Sequence, residues 1–223
     1  MTIALWGIPG IAAGVTLAAL WGVQRAAPER LWTAAAATAG WWALTGALAA
    51  SGVLARFDVL PPPMALMMGA VLTLGVVLAR SDLGGALARG TPLWALVGLQ
   101  AFRLPLELVM HQAAVDGVMP PELSYSGYNF DILTGASALV LAPLLASGKV
   151  GRGWVWAWSA LGIAALAMIV FIAVASSPMV RLFGDDPAHI NTWVLQVPYV
   201  WLPTVLVVAA IAGHGVVLRA LRG

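Results

Sequence analysis

Apolar residues in this chain run in blocks of about twenty, and the polar residues collect in the gaps between them. A helix needs roughly 20 apolar residues to cross the hydrocarbon layer of a bilayer. On that measure the sequence predicts seven spanning helices, at 3–24, 31–54, 64–80, 92–117, 131–148, 154–177 and 195–218. The gaps carry turn and helix-breaking chemistry: RAAPER, RFDVLPPP, ARSDLGGALARGT, GVMPPELSYSGYNF, GKVGRG and the long SSPMVRLFGDDPAHINTW. The third block is the shortest, and SDLGGALARG beside it reads as a loop or a short interfacial turn. The expected fold is therefore all-α, a single seven-helix transmembrane domain over 1–223 with no linker and no fixed-period repeat.

The basic residues give these blocks a direction. Arg25, Arg30, Arg80, Arg89, Lys149, Arg152, Arg219 and Arg222 lie in the odd-numbered connections and the tail. The even-numbered connections hold Arg56 and Arg181 against Asp58, Asp116, Glu122, Asp185 and Asp186. The positive-inside rule then places the N-terminus outside and the C-terminus in the cytoplasm, which requires an odd number of spans. Only 9% of residues are charged, where a soluble domain carries about 25%. The net charge of +2 sits in the connections and forms no nucleic-acid patch. There is no cysteine, hence no disulfide framework, thiol nucleophile or thiolate metal site. The opening MTIALWGIPG lacks the basic n-region of a signal peptide, so the first block is expected to stay as a helix. The expected location is a cell membrane, of the bacterial inner-membrane kind.

Small residues fill the first two blocks and suit close helix packing. Trp6, Trp21, Trp32, Trp154, Trp193 and Trp201 fall near block ends and read as interface anchors.

The fourth block departs from the apolar pattern. Gln100, Arg103, Glu107 and His111 are spaced three, four and four apart, within an arc of roughly 80° on one helical face. Such a stripe cannot face lipid cheaply, so it faces the bundle interior, and intramembrane charges mark candidate functional sites. Pro105 removes a backbone hydrogen bond and frees the Ala101 carbonyl, which predicts a kink or local unwinding. Arg103 and Glu107 stand at the i,i+4 spacing of a helical ion pair. Two readings follow. The pair is a structural fastening, or Arg103 holds an anionic or carbonyl group of a ligand that Glu107 orients.

The outer half of the predicted bundle gathers further polar groups. Asn129 or Asp131 is placed to cap the fifth helix, with Thr134 one turn deeper on the same face. Gln196, Tyr199 and Thr204 open the seventh block, where Pro198 and Pro203 break regularity. The inner halves are almost purely apolar, an asymmetry that points to a pocket open or gated on the outside. The runs LQAFRLPLELVMH, YNFDILTG and VLQVPYVWLPT resemble a pattern shared by uncharacterised bacterial multi-span membrane proteins. The resemblance covers about half of the chain, implies that Gln100, Arg103, Glu107, Asn129 and Asp131 form one unit, and implies no activity.

Other constellations fit less well. A retinal protein needs an intramembrane lysine, and the one lysine, Lys149, sits in the turn GKVGRG. His111 and His214 lie near opposite faces and cannot flank one haem plane, and a lone intramembrane histidine reads first as a packing residue. His111, Asp131, His189 and Asp185 or Asp186 could meet at the outer rim, but none has zinc-site spacing, and no metal is assigned. Ser124 and Ser126 lack a nucleophile elbow, and no phosphate-binding glycine loop is present.

The leading expectation is a membrane protein that binds or translocates a small molecule or ion through an outward-facing pocket floored by Arg103 and Glu107. Its ligand-facing residues are Gln100, Arg103, Glu107, His111, Asn129, Asp131, Thr134, Gln196 and Tyr199. The competing readings are an accessory or sensory subunit of a larger complex and an intramembrane enzyme using His111 with acidic neighbours. The expected partners are the bilayer and a small molecule or ion, with another protein or a second copy of the chain left open. No nucleic acid is expected, and the sequence assigns no cofactor.

Overall fold

The computed structural model describes residues 3–223, which form α-helices joined by short 3-10 turns, with no strand among the described residues. The helices are α1 (Ala4–Ala26), α2 (Leu31–Ala50), α3 (Pro63–Arg80), α4 (Asp82–Gly90), α5 (Leu93–Leu99), α6 (Arg103–Val115), α7 (Ile132–Ala146), α8 (Arg152–Ala175) and α9 (Val208–Arg222). Five helical stretches are long and apolar enough to cross a membrane: Ala4–Ala26, Pro63–Arg80, Leu93–Val115, Arg152–Ala175 and Leu202–Arg222. By length and composition they mark a multi-pass membrane protein. Two of the expected spans fall short of that standard. α2, at 20 residues, is diluted by threonine, glycine and tryptophan, and α7 has only 15 residues.

Large apolar side chains such as Leu17, Trp32 and Leu161 stand exposed on the surface, as lipid-facing residues do and as a soluble domain avoids. The SDLGGALARG segment forms the short helix α4, with Ser81 accepting from the Gly84 N–H at 3.1 Å as its N-cap. In the exposed turn after α2, Arg56 pairs with Asp58 at 2.8 Å. The hydrogen bond from Arg56 holds the Asp58 carboxyl below its ordinary value, and the same bond raises Arg56.

α9 is the hub, with α3, α4, α5 and α8 packed on it, while α1 lies against α6. Glycine permits the closest of these approaches: a Cβ on Gly213 would sit 1.9 Å from Nε2 of Gln100. One apolar layer gathers at the end of the bundle that holds His111, around Ile8, Leu106, Leu123, Ile172 and Leu206. A second gathers at the end that holds Arg222, around Val97, Ala138, Val155 and Val217.

Three departures from the expected boundaries shape the site. First, the fourth span is broken: α5 ends at Leu99, a 3-10 turn covers Gln100–Phe102, and α6 begins at Arg103. The break falls just before Pro105, whose missing N–H and ring bulk disfavour an α-bond to Ala101. Second, the last helix starts at Leu202 and not at 195, with a π-helical turn over Leu202–Val207. The segment before it is a 3-10 turn at Trp193–Leu195 followed by further turns, so its apolar character comes from burial and not from spanning. Trp193 is accordingly buried, and Trp201 stacks on Trp42 with centroids 4.7 Å apart, so neither is a surface anchor. Third, the connection from 116 to 131 is drawn partly into the interior. Met119 and Leu123 sit in the same apolar layer as Ile172, and the chain comes far enough in for Asp131 to reach Arg103.

Candidate functional site

Between the two apolar layers lies a polar one, built on the α5–α6 break. Arg103 is 1% exposed, and its Nη1 donates to Oδ1 of Asp131 at 2.7 Å and to the Gly162 carbonyl of α8 at 3.4 Å. Asp131 is therefore its ion-pair partner, in place of the expected Glu107. Helical spacing brought Glu107 to the right face, but the inward fold of the 116–131 connection delivers a carboxylate closer to the guanidinium. Glu107 instead accepts from Nδ2 of Asn129 at 2.8 Å. That same Nδ2 donates to the Leu123 carbonyl at 3.0 Å, and Oδ1 of Asn129 accepts from the Asp131 N–H at 3.0 Å. One asparagine thus satisfies irregular backbone in the interior, the condition under which non-helical chain is tolerated at membrane depth. Of the two expected capping residues, Asp131 occupies the N-cap of α7 but its side chain makes no cap bond, while Asn129 accepts from the Asp131 N–H.

Gly135 lets α7 lie directly on the break. A Cβ there would come within 2.3 Å of the Leu104 nitrogen, so the pairing of Arg103 with Asp131 depends on this glycine. Thr134 is buried beside it, with its methyl toward Gly162.

The other side of Arg103 is arranged differently. Gln100 is fully buried against Gly213, and His214 is buried against Gly162 with Nδ1 3.0 Å from the Ser159 hydroxyl. Trp158 stacks obliquely on His214 at 5.1 Å and donates to the Ser137 hydroxyl at 3.1 Å. Both polar atoms of the Gln100 amide lack a hydrogen-bond partner among the described residues, as do Nε and Nη2 of Arg103 and Nε2 of His214.

The remaining expected residues lie apart from this layer. His111 is half-buried, with Nδ1 2.9 Å from the Ser124 hydroxyl and 3.3 Å from that of Ser126, and its ring stacks on Tyr125 at 4.4 Å. Tyr199 packs on Trp193 at 5.1 Å, and Gln196 is exposed, because the chain there is a turn outside the last helix. His189 meets the buried Glu122, and Asp185 pairs with Arg181 at 3.2 Å, so the rim residues weighed as a metal set have separate partners. On the His111 side of Glu107, Asn129 links the carboxylate to the Leu123 carbonyl. A cavity of about 600 Å³ lies between α3, α8 and α9, with His214 in its wall and Arg222 at its end. None of the nine expected ligand-facing residues lines it. A smaller cavity of about 270 Å³ sits at the surface beside Glu122 and Ser126.

Residues 61–222 match the family described as "Domain of unknown function (DUF8737)". The chain belongs to the DUF8737 family. The matched stretch contains Gln100, Arg103, Glu107, Asn129, Asp131 and His214, and it agrees with the resemblance to an uncharacterised family while adding no activity. No curated protein and no solved structure matches this DUF8737 member.

Sequence reasoning missed Ser159, Gly162 and the depth of His214 in this DUF8737 chain. The available signal was the run Gly213–His214–Gly215, in which a histidine is flanked by the two residues that leave most room for neighbouring helices.

Proposed function

We propose that the chain is a seven-span bundle of a bacterial inner membrane that binds or translocates a small polar molecule or ion at the layer around Arg103. Its N-terminus is outside and its C-terminus in the cytoplasm. α2 supports the sixth crossing by its length, about 30 Å at 1.5 Å per residue. α7 supports the seventh because the buried side chains of Asn129 and Asp131, just before it, carry the chain on from its N-terminus. The arginines at the ends of α3, α8 and α9 support the orientation.

One observation carries the reading: five buried side-chain atoms of Gln100, Arg103 and His214 have no partner among the described residues. A buried amide or guanidinium left without a hydrogen bond costs about 1–3 kcal/mol or more, so native proteins rarely keep one idle. These atoms offer the donors of Arg103, both functions of the Gln100 amide and one imidazole nitrogen. A carboxylate, a carbonyl or a hydrated ion satisfies such a set, with Arg103 meeting the oxygen and Gln100 fixing its orientation.

The test is Gln100→Leu, close to Gln in size and without the amide. If a ligand uses the amide, the natively extracted variant loses a co-purifying small molecule that mass analysis finds in the parent chain, and it unfolds at lower temperature. If the amide is merely idle, the variant unfolds at higher temperature and the reading fails.

A further inference from the structure

We propose that the cavity between α3, α8 and α9 is a binding groove for one anionic phospholipid, its acyl chain lying along the groove and its phosphate held between Arg80 and Arg222. The groove shares only His214, in its wall, with the polar layer; the phosphate-holding Arg80 and Arg222 lie apart from Gln100 and Arg103, and the inference stands whether or not the polar layer takes a ligand. The groove exists because α3 and α9 approach unusually closely. A Cβ on Gly75 would meet the Ile211 side chain at 2.7 Å, and one on Gly215 would meet Ala79 at 2.3 Å. α8 packs on α9 and α7 and leaves the space above α3 open. The walls are apolar on all three sides, with Val76 from α3, Leu166 from α8, and Ile211 and Leu218 from α9. Along α9 the groove runs from Ile211 to Arg222, about 16 Å at 1.5 Å per residue. That is about the depth of one hydrocarbon leaflet, half of a core of roughly 30 Å.

Only one end of the groove is charged. Arg219 uses Nη1 on the Ala79 and Ser81 carbonyls, at 2.8 and 2.7 Å, and so closes the end of α3. Arg80 and Arg222 remain exposed, and among the described residues neither forms an ion pair with a carboxylate. Arg152, which donates to the Ala220 carbonyl at 2.6 Å, adds a further positive charge at the same end, again with no acidic partner among the described residues. The Arg222 guanidinium lies 5.9 Å from the Trp156 ring, a pairing typical of headgroup depth. An apolar channel one leaflet deep that ends in unpaired arginines is complementary to a phosphodiester attached to an acyl chain. A basic pocket between helices at this level takes such headgroups, and the planar guanidinium grips phosphate through two oxygens.

The chain, purified and delipidated in neutral detergent, is titrated with dioleoyl phosphatidylglycerol and separately with dioleoyl phosphatidylcholine, and bound lipid is read by native mass spectrometry. The expected result is one phosphatidylglycerol per chain, held about twenty-fivefold more tightly than phosphatidylcholine, from two arginines at about fivefold each. Arg80→Gln with Arg222→Gln removes that preference from two exposed positions without touching the core. Arg25→Gln with Lys149→Gln removes the same charge elsewhere and keeps it. Ala167→Trp, from an exposed position in the groove wall, expels the lipid with every arginine in place. Equal binding of the two lipids, equal loss in both double variants, or unchanged binding in Ala167→Trp overturns the proposal.

Discussion

The two sides of Arg103 contrast sharply. Toward the His111 end, Asp131, Glu107 and Asn129 form a closed set in which each side chain has a partner and the irregular backbone is satisfied as well. Toward the Arg222 end, Gln100 and His214 are equally buried, yet the Gln100 amide and one imidazole nitrogen bond to nothing among the described residues. The same depth and the same helices thus produce one region whose polarity is spent on holding the fold and another whose polarity is spare. In the first, removing a group strands its partner. In the second, removing the Gln100 amide strands nothing in the protein itself. Mutations therefore act through different partners on the two sides, through protein groups on the first and through the ligand on the second.

The largest effect is expected at Asp131. Asp131→Ala leaves the Arg103 charge buried without its counter-ion and destabilises the protein by about 3–5 kcal/mol, read as thermal unfolding in detergent. Arg103→Met with Asp131→Leu removes the pair together, and it recovers most of that loss if the closed side is a fastening alone. Asn129→Ala comes next. It takes the donor from Glu107 and from the Leu123 carbonyl, at about 1–3 kcal/mol, and it exposes the 116–131 connection to faster amide exchange. Gly135→Ala forces α7 off the break and costs about 1–3 kcal/mol by overpacking, with the apparent loss measured by the same unfolding assay. The smallest effect belongs to Gln196→Ala, an exposed turn residue, which shifts stability by no more than about 0.5 kcal/mol. A large effect at Gln196, or a negligible one at Asn129, would erase the distinction between closed and spare regions.

How far the sequence discloses this arrangement depends on range. The break at Gln100–Phe102 was readable from Pro105, because the defect a proline causes is local. The stripe of Gln100, Arg103 and Glu107 was readable because helical geometry puts those positions on one face. The partner of Arg103 was not. An i,i+4 spacing reports only the neighbour within the helix, whereas Asp131 arrives from 28 residues away through a connection that folds inward. Composition also cannot separate an apolar helix from an apolar turn. VLQVPYVWL reads as the start of a span, yet it packs as non-helical chain around Trp193 and Val200. That error moved Gln196 and Tyr199 into the expected site. It also moved His214 toward the membrane edge, although His214 lies well inside a helix that runs on to Arg222.

The central claim is that the spare side of Arg103 exists for a ligand. The measurement that tests it most directly is a high-resolution density map of the protein extracted from its native membrane without delipidation. The account predicts a non-protein feature within hydrogen-bonding distance of Gln100 and of Nε or Nη2 of Arg103, reaching toward Nε2 of His214. A dry, close-packed interior at that point, with the Gln100 amide and the Arg103 guanidinium fully bonded to other protein groups, would contradict it.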